Sequence, residues 1–132
     1  MWPKPTVPLL VLLTVAVLAV PGVGRAQAAA DQTPADTAVV TNEMTDAGRK
    51  IFHGPGTCYA CHGSKLQGGP VAPSLTGPQW RNGDGSFDMI LHVVRGGVAG
   101  TIMVSHPGGI NEVQTIQVAT YVYAASHGLV KP

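Results

Sequence analysis

Two cysteines and a histidine stand together in the stretch Cys58-Tyr59-Ala60-Cys61-His62. Two thiols three positions apart can each add to one vinyl group of the same porphyrin, and the imidazole that follows directly can bind its iron. This C-x-x-C-H spacing is the attachment signature of a c-type haem. We therefore predict one covalent haem c on Cys58 and Cys61, with His62 as an axial ligand of the iron.

Three other uses of a C-x-x-C pair compete with this interpretation. A thioredoxin-like redox site is expected beside a strand-helix-strand pattern, whereas the residues around this pair are rich in Gly and Pro. A structural zinc site needs about four Cys or His ligands, and the chain has 2 Cys in all. A disulfide between the two thiols suits a secreted chain, but it leaves His62 unexplained.

The N-terminus has the layout of a secretory signal peptide. Lys4 precedes an apolar run over residues 9–20, and the small residues Ala26 and Ala28 then offer a cleavage site. An uncleaved membrane anchor is the alternative, but a spanning helix needs about 20 apolar residues and this run is shorter. We predict that residues 1–28 are a cleaved signal peptide, that the protein is periplasmic or otherwise exported, and that it keeps no stable membrane insertion.

Cleavage after Ala28 changes the size and the charge of the chain. It leaves 104 of the 132 residues, enough for one small domain. It also removes Lys4 and Arg25, so that Lys+Arg fall from 8 to 6 against 7 Asp+Glu and the formal charge changes from +1 to −1. A slightly acidic protein does not favour nucleic acid or an anionic membrane surface as a partner.

The rest of the chain divides into a tail and one domain. Residues 29–42 have no sustained apolar period and are predicted to form a flexible tail or linker, and residues 43–132 form the domain. Within the domain, residues 63–86 are crowded with Gly, Pro, Ser and Asn and are predicted to be a long loop. Loops of this length in small domains are usually functional.

Three helices are expected to position the haem-binding groups. Gly48 costs helix propensity in the middle of the first helix, so another segment should pass close to it, and Tyr121 of the last helix is well placed to lie there. No strand pair is apparent. Caps and apolar spacing place the helices after Asn42 or Thr45 and up to Gly54, from Phe87 to Arg95 after the cap Ser86, and from about Asn111 to Ser126.

Four stretches, taken in order, resemble the bacterial class I cytochrome c family over roughly residues 43–127. They are similar to the family's opening helix, haem-binding turn, proline-leucine loop and C-terminal helix. The resemblance implies a small all-α monohaem cytochrome c fold, with about three helices and long Gly- and Pro-rich loops around one haem. The stretches are Gly48–Phe52, Gly56–Gly63, Ala72–Gly77 and Val118–Val122.

The resemblance also implies roles for the proline-leucine loop. In this family the proline carbonyl accepts a hydrogen bond from the proximal imidazole, so Pro73 is expected to orient His62 and to raise its basicity. Leu75 is expected to pack near the haem.

The second axial ligand decides between electron transfer and the binding of small molecules. The resemblance implies a methionine, and Met103 is the only one between the second and last helices, whereas Met44 and Met89 are interpreted as core packing. His106 is a rival, because the family's distal methionine is typically followed directly by proline and here three residues separate Met103 from Pro107. An open site is the third alternative.

Three side chains are candidates for contacts with the haem propionates. Trp80, Arg81 and Arg95 carry N–H donors suited to carboxylates. The alternatives are that Trp80 packs on the porphyrin edge and that the two arginines are solvated.

The functional hypothesis is a periplasmic one-electron carrier with His62/Met103 ligation. It has no catalytic residues and is not an enzyme, and its partners are redox proteins that donate and accept electrons. Two alternatives stay open: a haem c subunit bound to a dehydrogenase or another redox complex, and a gas-binding sensor with an open distal site.

Overall fold

A computed structural model describes residues 40–132, which contain four α-helices and one 3₁₀ turn. No strand occurs among these residues, so the prediction of an all-α fold is confirmed. The predicted signal peptide and residues 29–39 of the predicted tail lie outside the described residues. The elements are α1 (Asn42–His53), α2 (Tyr59–His62), α3 (Phe87–Gly96), the 3₁₀ turn Pro107–Gly109 and α4 (Glu112–Ser126).

Side-chain caps start α3 and α4 at the residues predicted from the sequence. Ser86 accepts a hydrogen bond from the backbone N–H of Met89. Asn111 accepts one from the N–H of Gln114, whose side chain accepts the N–H of Asn111 in return, forming a capping box. The predicted cap at Ser86 and the predicted start of the last helix near Asn111 are therefore confirmed. The short helix α2 was not predicted, because it lies within the five residues of the C-x-x-C-H stretch.

The predicted cap of α1 is wrong. Thr41, rather than Asn42 or Thr45, accepts the N–H of Met44 with its side chain. Thr45 is buried instead, and its hydroxyl donates to the carbonyl of Thr41 at 2.8 Å. The helix therefore begins at Asn42, about one turn earlier than a cap at Thr45 would place it.

Helices α1 and α4 cross at Gly48, as predicted. A Cβ atom at Gly48 would lie 2.0 Å from the carbonyl oxygen of Gln117 and 2.7 Å from the Cβ of Tyr121. The Tyr121 ring is fully buried and meets the Phe52 ring edge-on at 5.6 Å, while the Arg49 guanidinium lies 5.0 Å from its centroid. The glycine thus allows a close backbone approach that fixes one side of the site described below.

The Tyr121 hydroxyl is buried and has no hydrogen-bond partner among the described residues. Burial raises the pKa of Tyr121. Because a buried polar group without a partner is unfavourable, we expect Tyr121→Phe to raise the free energy of unfolding by about 1 kcal/mol. Chemical denaturation of the haem-loaded protein measures this, with Tyr59→Phe at an exposed ring as the matched control. A Tyr121→Phe variant less stable than that control would contradict the expectation.

The long loop after α2 is folded back on itself. Leu66 is fully buried, and its carbonyl accepts the N–H of Leu75 at 2.8 Å. Gly68 donates its N–H to the carbonyl of His62 at 2.8 Å, and its positive φ of 77° lets its backbone approach Ser74. As predicted, residues 63–86 contain no helix or strand, yet these contacts give the loop a defined shape.

Within residues 40–132, no helix has the length and apolarity needed to cross a membrane.

Candidate functional site

A cavity of about 430 Å³ lies between α2, α3, α4 and the loops that join them. Its volume is within the range of about 300–1,000 Å³ that is usual for ligand and cofactor sites. Most of its wall is apolar. The groups with coordination or covalent chemistry along it are Cys58, Cys61, His62, Met89 and Met103.

The turn of α2 brings Cys58, Cys61 and His62 to this cavity together. The carbonyl of Cys58 accepts the N–H of Cys61 at 3.3 Å and that of His62 at 2.9 Å. Residues three and four positions apart share one face of a helical turn, so both thiols and the imidazole reach the same space. The two sulfurs are not joined in a disulfide.

The His62 ring is oriented by a backbone carbonyl. Its Nδ1 lies 2.9 Å from the carbonyl oxygen of Pro73. A carbonyl only accepts hydrogen bonds, so Nδ1 must carry the proton and Nε2 keeps a free lone pair. The chain thereby presents His62 in the tautomer that can bind a metal through Nε2.

Ser74 holds the Pro73 carbonyl in place. Its hydroxyl lies 2.9 Å from the carbonyl oxygen of Thr76 and 3.2 Å from that of Leu66, and it accepts the N–H of Thr76 at 3.1 Å. The sequence carries no signal for this role of Ser74 and Leu66. The two residues lie eight positions apart in the chain, and the contact between them forms only when the loop folds back on itself.

The Cys58 thiol is largely buried in the cavity wall. Burial raises its pKa to about 11. Since the thiolate is the nucleophilic form of cysteine, the folded chain disfavours new bonds at this sulfur.

Met103 reaches the cavity from the loop after α3. Its carbonyl accepts the N–H of Val98 at 2.8 Å, and its own N–H donates to the Thr101 hydroxyl at 3.1 Å. Gly97, with φ of 72°, is packed so closely behind this loop that a Cβ there would lie 2.6 Å from the Met103 carbonyl oxygen. The thioether is therefore carried on a tight, hydrogen-bonded turn.

His106 is not among the residues that line the cavity. Its Nδ1 lies 2.8 Å from the hydroxyl oxygen of Thr115 on α4. The ring of His106, the rival of Met103 in the sequence-based prediction, is thus directed toward α4.

Met89 packs against the hydrophobic core, as predicted, and its side chain also faces the cavity. Met89 is partly buried and lines the cavity together with Ile90 and Val94 of α3. Val118 and Val122 of α4 do the same. The apolar stripes of these helices form the cavity wall, so a helical pattern alone could not tell these side chains from ordinary core residues. Met44 is not part of the lining.

Four further residues are predicted from the sequence to contact the haem, and three of them lie at the cavity. Leu75, Trp80 and Arg81 line the cavity, and Gly85 lies so close to the Trp80 indole that a Cβ there would be 2.3 Å from Nε1. Arg95 does not line it.

Arg95 forms an ion pair with Glu112 at the start of α4 instead, its Nε lying 3.0 Å from Oε1. The guanidinium lowers the pKa of Glu112 by hydrogen bonding to its carboxylate. The predicted propionate contact of Arg95 is therefore not supported, because the side chain already serves a surface pair between two helices.

Comparison with known proteins gives one informative likeness. No family model and no curated protein matches the chain. Among solved structures, the crystal structure of cytochrome CL from the marine methylotrophic bacterium Methylophaga aminisulfidivorans MPT matches with a TM-score of 0.58. The match covers 74% of this chain and 71% of that chain at 17% sequence identity. The chain therefore has the fold of a cytochrome c, in agreement with the predicted small all-α architecture.

Proposed function

We propose that this chain is an exported one-electron carrier with one covalent haem c, held by Cys58 and Cys61 and ligated by His62 and Met103. The observation that carries the proposal is the convergence of these four side chains on one apolar cavity. The bond from His62 Nδ1 to Pro73 supports it, because it leaves Nε2 available for iron.

The residues present fit such a group. When bound, haem c supplies one-electron exchange between ferrous and ferric iron. The two thiols would tether it, the Nε2 lone pair would provide a nitrogen ligand, and the Met103 thioether a soft, neutral sulfur ligand. A pair of protein ligands leaves no coordination position for substrate, and the apolar wall restricts water around the site.

Side chains beside the axial ligands would tune the potential. Pro73 would raise the basicity of His62 through their hydrogen bond. Trp80 and Arg81 would donate N–H groups to the propionates, and Leu75 would pack against the porphyrin.

The signal-peptide layout supports an exported carrier that exchanges electrons with other redox proteins. The mass of the matured protein tests this, because cleavage after Ala28 predicts one haem on a 104-residue chain that begins at Ala29. Elution of the native protein as a small monomer supports a free carrier. Elution with a large partner supports the alternative of a subunit in a redox complex.

The visible spectrum of the reduced, matured protein with and without carbon monoxide tests the proposed ligation. We expect a sharp low-spin spectrum that does not change on brief exposure to the gas, because both axial positions are filled by the chain. A broad spectrum, or one that shifts with the gas, would contradict the proposal and favour the gas-binding sensor.

Two arginines offer a matched pair for testing contacts with the haem. We expect Arg81→Gln to lower the reduction potential, because a nearby positive charge favours the ferrous state. A unit charge about 10 Å away contributes about 0.5–1.5 kcal/mol, or about 20–70 mV for one electron. Arg95→Gln should leave the potential nearly unchanged, since that guanidinium is paired with Glu112 outside the cavity. Redox titration measures both, and equal shifts would contradict the assignment.

A further inference from the structure

The loop that carries Met103 is tied down at its far end by His106. The backbone N–H of His106 donates to the carbonyl of Val94 near the end of α3 at 3.0 Å. Its ring reaches in another direction, to the Thr115 hydroxyl in the first turn of α4 at 2.8 Å. One residue thus joins the loop to both helices that form the cavity wall.

The direction of the bond to Thr115 can be derived from the Thr115 hydroxyl. Thr115 is fully buried, and its hydroxyl donates its single proton to the carbonyl of Asn111 at 2.9 Å. The same oxygen can then only accept from His106, so His106 Nδ1 must be the donor. Residue 106 must therefore offer an N–H to the Thr115 hydroxyl oxygen, and a side chain that can only accept hydrogen bonds does not fit there.

The backbone of His106 is also unusual. Its φ of 44° and ψ of 62° lie in the left-handed region, which non-glycine residues seldom adopt, although Asn, Asp and His are enriched there. Such a conformation persists when the surrounding contacts over-determine it. Here the bonds to Val94 and Thr115 supply those contacts, and the chain then turns directly into Pro107.

We infer that His106 is a positioning residue that holds Met103 at the cavity through its bond to Thr115. The inference rests on the proposed function, in which the Met103 sulfur is an iron ligand. The sequence presents His106 as a rival ligand, whereas in the structure its ring restrains the loop that carries Met103. Without this bond, one end of the loop is fixed by backbone contacts alone, and the thioether should leave the iron more often.

The experiment measures the rate at which carbon monoxide binds to the reduced, matured protein. Carbon monoxide competes with the Met103 sulfur, so its uptake reports how often that sulfur leaves the iron. We expect His106→Gly and Thr115→Val each to raise this rate roughly tenfold, the factor that one hydrogen bond of ordinary strength supplies. His106→Gly also relieves the left-handed backbone, so a rise in this variant cannot come from added strain.

Two further variants serve as matched controls. His106→Asn tolerates the left-handed conformation and offers an amide N–H close to the position of Nδ1, so it should keep the wild-type rate. Thr120→Val makes the same change as Thr115→Val at another fully buried threonine of α4, whose hydroxyl donates to the carbonyl of Ile116. Thr120→Val should lose similar stability without a faster uptake of the gas.

Amide hydrogen exchange provides a readout that does not involve the gas. The Val98 N–H donates to the Met103 carbonyl within the loop. It should exchange faster in His106→Gly and Thr115→Val, but at the wild-type rate in Thr120→Val.

The outcomes separate the inference from the proposed function. If the wild type takes up the gas slowly and the variants of both partners behave like Thr120→Val, the positioning role of His106 is overturned and Met103 ligation stands. If the wild type already takes up the gas as fast as Met103→Ala, ligation by Met103 is wrong and the inference falls with it.

Discussion

Met103→Ala should turn a protein that takes up carbon monoxide slowly into one that binds it rapidly. The substitution removes the thioether from the cavity wall, and alanine offers no ligand in its place. We expect a change toward a high-spin spectrum, rapid binding of the gas in the reduced state, and a lower reduction potential. The fall should be on the order of 0.1 V, within the range of about 0.8 V over which axial ligands set haem potentials.

Met89 is the matched control for this prediction, since it also lines the cavity and carries the same functional group. Met89→Ala should change the packing of α3 but leave the low-spin spectrum and the insensitivity to carbon monoxide intact. If Met89→Ala opens the site and Met103→Ala does not, the sulfur ligand comes from α3 and the proposed assignment is wrong. If neither opens it, a sulfur ligand is excluded and His106 becomes the candidate again.

Gly48→Ala should be strongly destabilising. The added Cβ would lie 2.0 Å from the Gln117 carbonyl oxygen, which is backbone and cannot rotate away. The two helices would have to separate, and overpacking of this kind costs about 1–3 kcal/mol. We expect a loss near the upper end of that range, measured by chemical denaturation of the haem-loaded protein and followed by circular dichroism.

Gly96→Ala supplies the control, because a Cβ built at Gly96 would meet no atom within 4 Å beyond its chain neighbours and the backbone of its own helix. This residue ends α3, where alanine is favoured over glycine by up to about 1 kcal/mol. Gly96→Ala should therefore be neutral or slightly stabilising. Similar losses in the two variants would show that the crossing of α1 and α4 at Gly48 is not closely packed.

Chemistry that resides in a few consecutive residues can be predicted from the sequence. The thiol spacing and the adjacent imidazole predict a haem-binding turn without any fold, because a single helical turn is enough to bring Cys58, Cys61 and His62 to one face. Helix starts are similarly local, which is why the cap at Ser86 and the start of α4 near Asn111 could be predicted. The α1 cap lies at Thr41 and Thr45 is buried, and a local pattern does not reveal that burial.

Contacts between distant segments were decided by the tertiary structure. The pairing of Arg95 with Glu112, rather than with a propionate, depends on how α3 packs against α4. The orientation of His106 toward Thr115 depends on the same packing. Hydropathy cannot distinguish a core methionine from one at the cavity wall, so the position of Met89 also had to come from the fold.

The amino-acid sequence by itself determined the attachment turn, the three main helices and the glycine at which α1 and α4 cross. Each depends on residues that are neighbours in the chain or on a single steric requirement. Only the tertiary structure decided which side chains line the cavity, because a loop can deliver Met103 or His106 to the same region until its ends are fixed. The bonds from His106 to Val94 and Thr115 fix one of those ends, and they leave Met103 at the cavity.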